Sequence, residues 1–128
     1  MAITSEKNVR SGALIKTYLK VAQLWKLTLA EQTAFLGMPE NSGLYTSWKN
    51  IPSSANLDKD KLVKLTLLLA IYKDLQTLYP ENEKVNQWLR TAMSDAPFAG
   101  LTPIESLKTG QIANLLLVRQ YLTNLMAA

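Results

Sequence analysis

Phe98-Ala99-Gly100-Leu101-Thr102-Pro103-Ile104-Glu105 is the stretch whose reading decides the fold. Thr102 supplies a hydroxyl for a helix N-cap, and Pro103 fits the first helical position, where no N–H is needed. Glu105 stands at the spacing from which a carboxylate reaches back to the cap amide. A helix therefore starts here. Gly110 suits the left-handed turn that ends it, and Gln111 to Met126 continue as a last helix. Upstream, Val85, Trp88 and Leu89 anchor another helix, and Pro97 and Phe98 suit a linker, 95–101, that docks onto a core.

Working outward, helical periodicity covers almost the whole chain, with no apolar/polar alternation long enough for a strand pair, so the expected fold class is all-α. Asp58 to Tyr79 reads as one long helix with Leu62, Leu65, Leu69, Tyr72, Leu75 and Tyr79 on one side. Leu67, Leu68, Ile71 and Leu78 widen the stripe, which marks a central strut packed on several sides. Leu14, Tyr18, Val21, Ala22 and Trp25 give one buried stripe over Val9 to Lys26. Thr28 and Glu31 form a second capping-box spacing, opening a short helix to Leu36 that Gly37 ends. After the turn containing Pro39, Asn41, Ser42 and Gly43, a third short helix carries Leu44, Tyr45 and Trp48 on its apolar side. Pro52 to Asn56 is the most loop-like segment and the expected boundary between a module 1–56 and a domain 57–128.

The 128 residues contain no Cys and no His, which closes disulfides, the usual zinc sites, thiol nucleophiles and histidine acid/base chemistry. Asp58, Asp60, Glu81 and Glu83 open helices and Glu105 completes a cap, so helix-dipole duty accounts for them. Asp95 is left over in a loop without a catalytic partner. Neither a cofactor, a metal nor a small-molecule substrate is expected. Met1 to Lys16 show no signal-peptide pattern, and the longest apolar run falls far short of the ~20 residues that cross a bilayer. A cytoplasmic protein without membrane attachment is the expectation. The net charge of +4 is uneven: residues 1–52 carry six Lys/Arg against three acids, and residues 81–128 carry four against four. Any attraction to phosphate belongs to the N-terminal half.

Residues 28–50 have the size and order of a helix-turn-helix, with Thr33 four before the turn Gly37. The second of these helices offers Tyr45, Thr46, Ser47 and Lys49, with Asn41 and Ser42 at its start. Lys49 alone could make the forked contact to guanine that is the commonest specific one. Lys16, Lys20, Lys26 and Lys49 would hold phosphates. A structural three-helix module that binds no DNA fits the same residues. In the last helix, Ile112, Leu115, Leu116, Val118, Tyr121, Leu122, Leu125 and Met126 cover more than one core requires, which points to a partner surface. A helix wholly buried in the monomer is the other reading.

Trp88-Leu89, Gly100, Thr102-Pro103, Glu105, Leu107 and Gly110, in that order, resemble the toxin-binding domain of the Xre/MbcA/ParS antitoxin family, and Leu24-Trp25-Lys26-Leu27-Thr28 leads into a module like its Xre part. The resemblance implies an antitoxin, not an enzyme, that dimerises. It implies a partner RES-domain toxin, which consumes NAD or transfers ADP-ribose from it, and possible binding to operator DNA. It places toxin contact at Phe98, Gly100 and Leu101 and at the end of the last helix, with Arg119 as polar anchor and Leu122, Leu125 and Met126 as apolar plug. DNA contact would fall to Lys26, Asn41, Ser42, Tyr45, Thr46, Ser47 and Lys49. The recognition helix departs from the family's pattern in being poor in Arg. A DNA-binding regulator whose C-terminal half only dimerises is the alternative, and a helical adaptor that binds neither DNA nor toxin is a third.

Overall fold

Helix α1 (Glu6–Leu24) buries Ile15, Tyr18, Val21 and Ala22, and just past its end Trp25 continues the same stripe into the core. The computed structural model describes the backbone of residues 6–128 and the side chains from residue 9, so the expectation about Met1 to Lys16 lies partly outside the described residues. The remaining helices are α2 (Leu29–Phe35), α3 (Gly43–Asn50), α4 (Lys59–Leu78), α5 (Asn82–Leu89), α6 (Pro103–Leu107) and α7 (Ile112–Ala127). Among the described residues there is no strand: the fold is all-α.

The caps form as their residues predict. Thr28 and Glu31 bond reciprocally at the start of α2, and Thr102 and Glu105 do so at the start of α6. Asp58 accepts from the Lys61 amide at the start of α4, and Ser42 accepts from the Tyr45 amide at the start of α3. Each such bond satisfies an amide that a helix start would otherwise leave open, stabilising by about 1 kcal/mol.

Helix α4 is the strut, packed chiefly against α7 on one side and α1 on another. The face it buries differs from the expected one. Leu65, Leu67, Leu68, Ile71 and Leu75 are buried, whereas Leu62, Leu69, Tyr72 and Tyr79 lie at the edge of the core. A helix apolar over most of its circumference has no unique inward direction, and its neighbours choose one. Each fully buried Leu or Ile there stabilises the fold by roughly 2 kcal/mol.

The segment after α3 also differs from a plain loop. Pro52–Ser54 is a 3₁₀ turn laid against α1, with the Pro52 carbonyl near Gly12; a side chain there would meet that oxygen at 3.2 Å. Ala55 and Leu57 are fully buried beyond it. Residues on both sides of the 56/57 boundary thus belong to one buried cluster, running from Ile15 and Phe35 through Leu68 to Leu122.

Two backbone junctions tie the ends of this cluster together. Gly37 and Gly110 both adopt positive φ (71° and 64°), and they meet backbone to backbone: a Cβ on Gly110 would lie 2.5 Å from the Ala34 carbonyl oxygen and 2.9 Å from the Gly37 nitrogen. The second junction is a polar clasp. The side-chain amides of Asn82 and Asn86 donate to the Leu24 carbonyl at 2.8 and 3.1 Å, and Arg90 donates to the Lys26 carbonyl at 3.2 Å. The Leu24 carbonyl is one that the end of α1 leaves without an intrahelical donor, and Lys26 lies in the turn that follows. Arg90 also forks onto Glu31, Nη1 to Oε2 at 2.9 Å and Nη2 to Oε1 at 3.0 Å. That hydrogen bond, with burial opposing it, holds the Glu31 carboxyl below its usual range.

Candidate functional site

Two surfaces carry the residues that the sequence marks. The first is the end of the bundle where linker 95–101 meets α7. The Asp95 carbonyl accepts from the Phe98 and Ala99 amides at 2.8 and 3.2 Å, and Met93 and Leu101 exchange backbone bonds with their neighbours across the loop. This turn seats Phe98 edge-on to Tyr121, with ring centroids 5.1 Å apart and planes at 79°. Trp88 from α5 closes the trio, 5.9 Å from Phe98 and 6.4 Å from Tyr121. The linker and the end of the last helix, separate in sequence, are thereby joined.

The trio also corrects the expected roles. Phe98 is fully buried and holds the linker in place, so it offers no contact surface. Leu122 is fully buried as well, because it continues the inward row Leu115, Val118, Leu122. What the helix leaves outside at its end is Leu125 and Met126, 36% and 38% exposed, and on the linker Leu101 at 47%. Gly100 is exposed at φ 94° with open space around its Cα. Arg119 is half-exposed, but its Nε lies 3.6 Å from Asp74 Oδ2 on α4, so an intramolecular carboxylate already shares its charge.

Leu116, counted in the surplus apolar surface, and Leu117, which that count left out, are 51% and 52% exposed and stand on the outer face of α7 with Gln120 and Asn124, whose amides bond each other at 3.1 Å. Arg119 is the only charged residue in the 16 positions of this helix. The surplus of apolar residues was visible in the sequence. Which of them faced outward was not.

The second surface spans α1, the turn after it, α2 and α3. Lys26 and Lys49 line one open groove together with Gln23 and Gln32. Lys16 and Lys20 are exposed on α1. The other expected DNA contacts are mostly occupied. Tyr45 is fully buried and donates its hydroxyl to Gln32 Oε1 at 2.8 Å, so it belongs to the core rather than to a base-reading face. Burial pushes that phenol well above the usual tyrosine range. Ser42 is spent on the α3 cap. Thr46 and Ser47 are exposed, yet their hydroxyls donate back to the Ser42 and Gly43 carbonyls at 3.1 and 3.0 Å. Asn41 is exposed. Leu44, expected on the apolar side of α3, is 59% exposed, and Ile51 just past the helix is 60% exposed. Residues 36–42 separate α2 from α3, more than the 3–4 residues of the regular helix-turn-helix turn.

Among the described residues no helix is long and apolar enough to cross a membrane. No family model matches the chain. It is similar, at 27% identity over 118 residues, to an uncharacterized protein of Sinorhizobium fredii, y4oB; the match spans 92% of this chain and 88% of that one.

Proposed function

We propose that the chain is the antitoxin of a type II toxin–antitoxin pair and neutralises a RES-domain toxin, one that consumes NAD or transfers ADP-ribose, by covering its active site. It acts in the cytoplasm, by binding rather than by catalysis. The observation that supports the reading is the joining of linker 95–101, which bears the exposed Leu101, to helix α7, which bears the exposed Leu125 and Met126, through Trp88, Phe98 and Tyr121. Exposed apolar side chains on a rigid helical end suit insertion into a partner's pocket. The resemblance of Trp88-Leu89, Gly100, Thr102-Pro103 and Gly110 to the toxin-binding domain names the partner class.

Co-expression with the RES-domain toxin encoded beside it should yield a complex that survives purification and has lost NAD consumption. A chain that elutes alone while the toxin stays active sinks the reading. The groove with Lys26 and Lys49 favours a second activity, autorepression through operator DNA, or a regulator with no toxin at all. In that case the chain retards its own upstream DNA, and more weakly as salt rises. The outer face of α7, with Leu116 and Leu117, is the surface assigned to a second copy.

A further inference from the structure

We propose that the corner formed by Asp95, Trp88 and Tyr121 receives an arginine side chain of a partner protein. The Trp88 and Tyr121 rings lie within 26° of parallel, centroids 6.4 Å apart, and both are only partly buried. Phe98, fully buried behind them, meets each ring edge-on at 85° and 79°, so the two are held at fixed positions instead of swinging. Asp95, itself exposed, opens the turn that seats Phe98, the ring against which both of them pack. Its charge is felt at the Tyr121 hydroxyl, whose pKa is raised by burial and then by Asp95 and Tyr79.

Asp95 makes no ion pair and no side-chain hydrogen bond among the described residues, while Arg119, the one cation of α7, is drawn to Asp74. The corner thus offers aromatic surface and an unspent negative charge. A planar guanidinium satisfies both at once, stacking on a ring face and pairing with the carboxylate. Leu125, one helical turn beyond Tyr121, extends the corner with apolar surface, so an arginine next to an apolar residue fits best. A phosphate backbone would be repelled. The inference concerns the surface chemistry and does not require the partner to be a toxin.

The test uses N-acetylarginine amide and its uncharged counterpart N-acetylcitrulline amide as probes, read by NMR at the tryptophan indole N–H resonances. Trp25 and Trp48, 1% and 2% exposed, serve as internal controls for Trp88. The arginine amide should shift the Trp88 resonance saturably. The citrulline amide, and the arginine amide against Asp95→Asn, should bind about fivefold more weakly, the scale of an exposed cation–π contact with a surface ion pair. Asp95→Glu should restore the response. No Trp88 shift, equal responses to the two amides, or an unchanged response in Asp95→Asn overturns the proposal.

Discussion

Arg90 does the work of several residues because its planar fork reaches a carboxylate and a carbonyl at once. Arg90→Ala should cost about 1 kcal/mol in urea unfolding at pH 7, a modest figure because the guanidinium is half-exposed. The cost should depend on pH in a set direction. Glu31 has a folded-state pKa below its unfolded one, so its contribution is complete above the unfolded value, about 4.3, and is lost as pH falls through the folded value. The gap between the native chain and Arg90→Ala should therefore narrow as pH falls below ~4, leaving the share of the bond to the Lys26 carbonyl, which does not titrate. Asp60, lowered by its bond to Lys64, titrates in both proteins and cancels in the difference. A gap that does not change as pH falls below ~4 would contradict the role given to the pair. Gly110 and Gly100 separate two reasons for a glycine. Both have positive φ, but only Gly110 faces backbone at 2.5 Å. Gly100→Ala should cost about 1 kcal/mol from conformation alone, and Gly110→Ala about 3 kcal/mol or more, since the Ala34 carbonyl cannot move without shifting α2. Equal losses of thermal stability would remove the argument for the Gly37–Gly110 contact.

At the scale of the element, α7 serves two surfaces. Its inward row of Leu115, Val118 and Leu122 packs on α4, its outer face carries Leu116 and Leu117, and its last turns carry Leu125 and Met126. The two outer sets lie on different sides, so their roles separate by substitution. On the proposed function, Leu116→Asp with Leu117→Asp should reduce self-association, measured by light scattering, and leave capture of the toxin intact. Leu125→Asp with Met126→Asp should weaken capture at least about tenfold while self-association persists, the scale of losing buried apolar anchors. The reverse pattern would exchange the assignments. Helix α3 shows the opposite economy. Its hydroxyls bond its own backbone and its tyrosine is in the core, leaving Lys49 as the cation it presents.

For the whole molecule the decisive fact is that one buried cluster runs from α1 to α7. The Asn82–Asn86–Arg90 clasp and the Gly37–Gly110 contact add ties between segments some sixty or more residues apart. Helicity by circular dichroism and tryptophan fluorescence should therefore fall in one coincident urea transition. Two separated transitions would show that residues 1–56 and 57–128 fold as independent units. The sequence by itself determined where the capped helices α2 and α6 begin. Caps such as Thr28–Glu31 and Thr102–Glu105 are local, made between residues three apart, and the glycine turns at Gly37 and Gly110 depend on backbone sterics alone. It also determined that the chain is all-α and that α7 carries more apolar surface than one core needs. Only the tertiary structure decided which side of α4 and α7 faces inward, and with it that Leu122 is core while Leu116 and Leu117 are surface; it likewise left Leu44, expected on the apolar side of α3, outside. A helix apolar around most of its circumference leaves its rotation open until neighbours pack against it. The clasp on the end of α1 was equally hidden, because Asn82, Asn86 and Arg90 show their spacing in the sequence but not the carbonyls of Leu24 and Lys26 that they meet.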